Sequence, residues 1–80
     1  MNIQLLAFGI VRDILNTSST SINVPERIIV KDFKIHLIET FPKMKNVSSF
    51  AIAVNESYAQ DSTVLQENDV VAIIPPVSGG

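Results

Sequence analysis

Eighty residues fill one domain and leave no room for a second, close to the smallest size at which a hydrophobic core alone holds a fold. The chain has no cysteine, which excludes disulfide staples, thiolate metal sites and a cysteine nucleophile, so packing must supply its stability. The net charge is −2 with scattered lysines, and no uncharged apolar stretch approaches the roughly 18 residues of a membrane helix, so neither nucleic acid nor a membrane is an expected partner.

Met1 to Gly9 lacks a basic start and a small-residue cleavage pattern, which predicts a first strand, not a secretion signal, and a cytoplasmic protein. In the run Ile3 to Phe8, closed by Gly9, Ile3, Leu5 and Ala7 share one face and Gln4, Leu6 and Phe8 the other. The glutamine marks that second face as the outer one. Val11 to Leu15 suits a short helix ended by the turn residues Asn16 to Ser19, and Thr20 to Val24 alternates as a second strand that Pro25 closes. Val30, Phe33, Leu37, Ile38 and Phe41 form the stripe of an amphipathic helix that Pro42 stops, although no Ser, Thr, Asp or Asn stands just before Val30 to cap it. Phe50 to Val54 reads as a third strand, and Asn55, Glu56 and Ser57 as a tight turn into Tyr58 and Ala59. Leu65 is the expected inward anchor of the irregular stretch that follows. Glu67, Asn68 and Asp69 turn the chain into Val70 to Ile74, whose unbroken apolarity suits a central strand buried on both faces.

This order predicts an α+β domain with one main helix packed on a mixed sheet. It is compatible with a β-grasp, in which the first and last strands lie parallel at the centre, but periodicity alone does not single that topology out.

Directly after the last strand come Pro75, Pro76, Val77, Ser78, Gly79 and Gly80. The prolines fix φ and bias the residues before them towards extended backbone, which predicts a stiff stalk. Six extended residues span roughly 20 Å. Glycine has no Cβ, so a Gly-Gly end is thin enough for a narrow slot. The expected division is a domain over residues 1–74 and an extended tail over residues 75–80, long enough to place the carboxylate of Gly80 in the active site of another protein.

Little else in the chain suggests chemistry. His36 is the single histidine and lies beside the core stripe of the long helix, where a surface or boundary role is expected. The carboxylates Asp13, Glu26, Asp32, Glu39, Glu56, Asp61, Glu67 and Asp69 are dispersed, and no metal-binding or phosphate-binding motif appears. So short a chain can hardly enclose a catalytic cavity beside its own core, so it is not expected to catalyse a reaction alone. What remains is the tail and one surface. If Gln4 faces outward, so do Leu6 and Phe8, and alternation turns Ile74 outward beside them, with Tyr58 able to add an aromatic ring. Clustered exposed apolar residues of this kind mark contact sites.

The ending Val70 to Ile74 followed by Pro-Pro-Val-Ser-Gly-Gly resembles that of the MoaD family, the small subunit of molybdopterin synthase. Phe8 to Asp13 resembles the family's first strand end and short helix, Ala53 to Asn55 its hairpin entry, and Leu65 to Asp69 the turn before the last strand. Asn68 departs from the family, which commonly has glycine there; asparagine tolerates left-handed backbone better than other side chains, so little change is expected. The resemblance implies a ubiquitin-like β-grasp and a sulfur carrier. It further implies that the carboxylate of Gly80, preceded by Gly79, would be adenylated by an E1-like activating enzyme of the MoeB type using ATP and would become a thiocarboxylate. By the same resemblance it would then give its sulfur to cyclic pyranopterin monophosphate inside the large subunit, of the MoaE type, in a heterotetramer. No permanently bound cofactor is implied. By position, Phe8, Tyr58 and Ile74 are the expected hydrophobic contacts, with Pro75, Pro76, Val77 and Ser78 as the part of the tail that the partner grips. The competing readings are a carrier for another acceptor, of the thiazole-forming ThiS type or the kind that thiolates tRNA, and a non-catalytic β-grasp binding module.

Overall fold

The computed structural model describes residues 1–47 and 49–76. Its elements are β1 (Asn2–Ala7), α1 (Gly9–Leu15), β2 (Ser19–Asn23), α2 (Val30–Thr40), the 3₁₀ helix η1 (Pro42–Asn46), β3 (Ala51–Val54), β4 (Ser57–Tyr58) and β5 (Val70–Ile74). The sheet runs in the order β2-β1-β5-β3-β4. β1 and β5 are parallel at its centre, with Leu5 beside Val71 and Ala7 beside Ile73, and every other pairing is antiparallel. This is the ubiquitin-like β-grasp, an α+β fold with the main helix on one side of a mixed sheet.

Alternation decides which face meets the helix. Ile3, Leu5 and Ala7 of β1, Val71 and Ile73 of β5 and Ile52 of β3 are buried, and they form one cluster with Val30, Phe33 and Leu37 of α2. A fully buried side chain of this size contributes about 1.5–3 kcal/mol relative to an exposed one, so this layer is the main source of stability. Leu65 is buried as expected, and Met44 of η1 is fully buried in the same cluster.

The long helix starts without a side-chain cap. Two backbone donors of its first turn are instead satisfied by the loop that returns from β4: Val30 N–H donates to the carbonyl of Thr63 (2.9 Å) and Lys31 N–H to that of Asp61 (3.0 Å). The nearby Lys34–Asp61 ion pair, at 3.1 Å, is largely exposed. An exposed pair is worth about 0–1 kcal/mol, whereas leaving two backbone donors unmet costs about 1–3 kcal/mol each where they are buried, so the backbone bonds are the stronger constraint.

Two expectations need correction and one needs an addition. β5 is central but is buried on one face only: Val71 and Ile73 are buried, while Val70, Ala72 and Ile74 are half-exposed. Its continuous apolarity arises because its second face carries an apolar surface, not a second layer. Pro42 ends α2 but also opens η1, since its fixed φ and missing N–H suit the first turn of a new helix. The hairpin turn has two residues, not three, and Ser57 is already in β4. Asn55 (φ +50°) and Glu56 (φ +75°) both lie in the left-handed region, as in type I′ hairpins.

Asn68 also adopts positive φ, at +68°, the left-handed backbone that asparagine tolerates better than other non-glycine residues. Its turn is fastened to the hairpin by side chains. Asp69 accepts hydrogen bonds from Asn55 Nδ2 (3.0 Å) and from the backbone N–H of Gln66 (2.8 Å), and the N–H of Val70 donates to Asn55 Oδ1 (2.9 Å). These bonds fix the entry of β5 at the end of the sheet opposite the stalk.

Candidate functional site

The outer face of the sheet is built by register. One row of paired residues crosses all five strands: Ser19, Leu6, Ala72, Ala53 and Tyr58. One step further towards the stalk, Ile74 pairs with Ala51 on the same face. Phe8 follows the Ala7–Ile73 pair with extended backbone (φ −131°, ψ 153°), so it continues the outer face of β1 beside Ile74. Tyr58 is 75% exposed and Phe8 50% exposed, both high for aromatic side chains.

Pro75 and Pro76 leave β5 between two depressions. Towards β4, Tyr58 and Ile74 line a shallow hollow with Phe50, Ala51, Pro75 and Pro76. On the other side, Ile10, Ile14, Lys43 and Val47 line an open groove of about 670 Å³ with the same two prolines. The structure therefore brings Tyr58, Ile74, Pro75 and Pro76 together around the root of the stalk. Phe8 lines neither depression, although it shares the outer face. Val77, Ser78, Gly79 and Gly80 lie outside the described residues.

The start of α1 lies close to Pro75, the first residue after β5. Gly9 has φ +54°, and a Cβ placed on it would stand 3.2 Å from Cγ of Pro75. A bare backbone at Gly9 thus lets the proline ring approach. Chemically the surface is mostly apolar. Lys43 is the one charged side chain that lines either depression among the described residues. Among those residues no group of three or more His, Cys, Asp or Glu side chains is arranged to hold a metal ion. His36 is half-buried on α2, and its backbone carbonyl accepts from the Thr40 hydroxyl.

The groove between α1 and η1 is the part that residue patterns did not suggest. Its walls come from three distant segments, around Ile10, Val47 and Pro75. The available signal was the three-residue spacing of Met44 and Val47 after Pro42, which fits a 3₁₀ turn with one inward and one half-buried apolar residue.

Residues 5–80 match the sequence model of the ThiS family. The chain is 32% identical over 83 aligned positions to a molybdopterin synthase sulfur carrier subunit of Drosophila sechellia, a match covering 100% of this chain and 92% of the relative. Its fold is similar to that of SAMP1 from Haloferax volcanii, with a TM-score of 0.83 at 19% identity and full coverage of both chains. It is also similar, at 26% identity, a TM-score of 0.67 and full coverage of both chains, to a structure of the complex of subunits 1 and 2 of molybdopterin-converting factor from Helicobacter pylori 26695. The chain belongs to the ThiS family and, within it, to the MoaD type of small molybdopterin synthase subunits.

Proposed function

We propose that this chain is the sulfur carrier of a molybdopterin synthase, with the carboxyl group of Gly80 as the carrier atom set. The observation that supports this most is the pairing of a ThiS-family match running to Gly80 with relatives named molybdopterin synthase sulfur carrier subunits. The apolar face around Tyr58, Ile74 and the Pro75–Pro76 stalk suits a domain that works by docking.

The chemistry follows from the weakness of a carboxylate as an electrophile. Near neutral pH a terminal carboxyl is an anion and resists nucleophiles. In this reading an E1-like enzyme of the MoeB type transfers AMP from ATP to the Gly80 carboxylate and releases pyrophosphate. A sulfur nucleophile then displaces AMP, leaving a thiocarboxylate. ATP thus belongs to the activating enzyme, and this chain holds no permanent cofactor. The tail next enters the MoaE-type large subunit, where the thiocarboxylate sulfur bonds to cyclic pyranopterin monophosphate, and water then cleaves the acyl–sulfur bond, leaving the sulfur on the pterin and restoring the Gly80 carboxylate. Two copies of each chain make the heterotetramer, in the cytoplasm. A docked outer face with a thin tail in the neighbouring active site brings the sulfur to its target without a catalytic cavity in the carrier.

Intact-mass analysis tests the reading. With ATP, the activating enzyme and a sulfur donor, the protein should gain the mass of one sulfur in place of one oxygen, located on Gly80. It should lose that gain on incubation with large subunit and pyranopterin, as molybdopterin forms. No ATP-dependent change of mass would contradict the proposal.

A further inference from the structure

The two depressions beside the stalk are not independent surfaces, because Pro75 and Pro76 line both. A protein that houses residues 77–80 therefore has both depressions within reach. The side towards Tyr58 is apolar and polar-uncharged throughout. The other side differs in one respect: Lys43 stands on the rim of an otherwise uncharged groove, exposed and with no ion-pair partner among the described residues. Ile10, at 52% exposure, offers a large apolar side chain in the same groove. A cation left single beside an apolar groove, continuous with the surface that surrounds a threaded tail, fits a partner segment with an apolar side chain and a carboxylate next to it.

From this we infer that the large subunit grips the carrier on both sides of the stalk, and that the groove between α1 and η1 receives an apolar side chain of the large subunit with an acidic residue paired to Lys43. The inference rests on the reading that residues 77–80 enter that subunit. Contact on two sides holds the direction of the stalk as well as its position, which a one-sided patch does not. The acidic partner also makes association faster at low salt, since complementary charges at an interface rim steer encounter.

Titration calorimetry of the full chain with its large subunit, at low and high salt, tests this with Lys43→Glu, Ile10→Asp and Tyr58→Ala. Each changes an exposed side chain, and thermal unfolding of each variant reports the fold. Lys43→Glu should weaken binding roughly tenfold or more at low salt and flatten the salt dependence, since it places like charges together. Ile10→Asp should weaken it at both salt concentrations through loss of the apolar contact, and more at low salt because it sets a second carboxylate beside the acidic partner. Affinity lost in Tyr58→Ala but unchanged in the other two variants would overturn the inference and leave the sulfur-carrier reading standing. Affinity unchanged in all three would overturn both the groove and the sheet face as docking surfaces. Self-association of the free protein that Lys43→Glu abolishes, with large-subunit affinity unchanged, would overturn the inference by assigning the groove to a second copy of this chain.

Discussion

Gly9 and Pro75 are in contact range at the point where the first helix begins and the stalk leaves the sheet: a Cβ on Gly9 would lie 3.2 Å from the Cγ of Pro75. The two residues follow the two central parallel strands, so the contact ties the start of α1 to the root of the tail. It also explains the choice of residue, because Gly9 takes φ +54° where a side chain is strained.

Gly9→Ala should therefore act in two ways. The left-handed backbone costs an L-residue about 1–2 kcal/mol, and the Pro75 ring must shift by a few tenths of an ångström. For a domain of this size each kcal/mol lowers the melting temperature by roughly 4–8 °C. The expected result is a lower Tm in calorimetric unfolding together with slower sulfur transfer. An unchanged Tm would show that Gly9 carries no such strain.

Removing the exposed anchors should separate binding from stability. Tyr58→Ala and Phe8→Ala delete side chains that are at least half exposed, so little packing is lost. Truncating a central aromatic or aliphatic contact of an interface typically costs about 2 kcal/mol or more of affinity. The same loss is expected for Ile74→Ala, which is half-buried and should also lower Tm slightly. Calorimetric titration with the large subunit measures the first effect and thermal unfolding the second. Unchanged affinity in all three variants would remove the outer face from the interface.

At the opposite end of the sheet, the turns offer a test in which stability should rise. Glu56 holds φ +75° and Asn68 φ +68°, both of which glycine adopts without penalty. Glu56→Gly creates the Asn-Gly pair that type I′ hairpins prefer and should stabilise the domain by up to about 1 kcal/mol. Asn68→Gly should be neutral or mildly stabilising. Asn55→Ala is the contrasting case, since it loses the bonds to Asp69 and Val70 and keeps a left-handed backbone without a side chain that tolerates it. It should cost about 1–3 kcal/mol. Denaturant titration of the three variants checks the order.

Much of the fold was legible because packing and sequence share a period. Val30, Phe33 and Leu37 fall on one helical stripe and all are fully buried, and the alternation of Ile3, Leu5 and Ala7 separates core from outer face. β5 has the bounds that its apolar run predicts. Its two faces were not legible, since an apolar side chain reads the same whether a second layer covers it or a solvent-facing patch contains it. The start of α2 was obscure for another reason. Its capping groups are the carbonyls of Asp61 and Thr63, and backbone atoms leave no mark in residue identity. At the site, parity placed Phe8 and Ile74 on the outer face and the register added Tyr58, whereas the groove holding Lys43 needed the fold to bring its segments together.

The central claim is that Gly80 carries the sulfur, and the most direct measurement is molybdopterin formation by tail variants whose folds are verified. A reacting atom must approach its target to about 3–3.5 Å, and one extended residue moves it by roughly that distance. Deleting Gly80, or adding one residue after it, should abolish ATP-dependent thiocarboxylate formation and product, with Tm unchanged. Gly79→Val should fail as well, because a β-branched side chain widens and stiffens the tail where it must be thin. A protein lacking Gly80 that still forms molybdopterin at the normal rate would contradict the account.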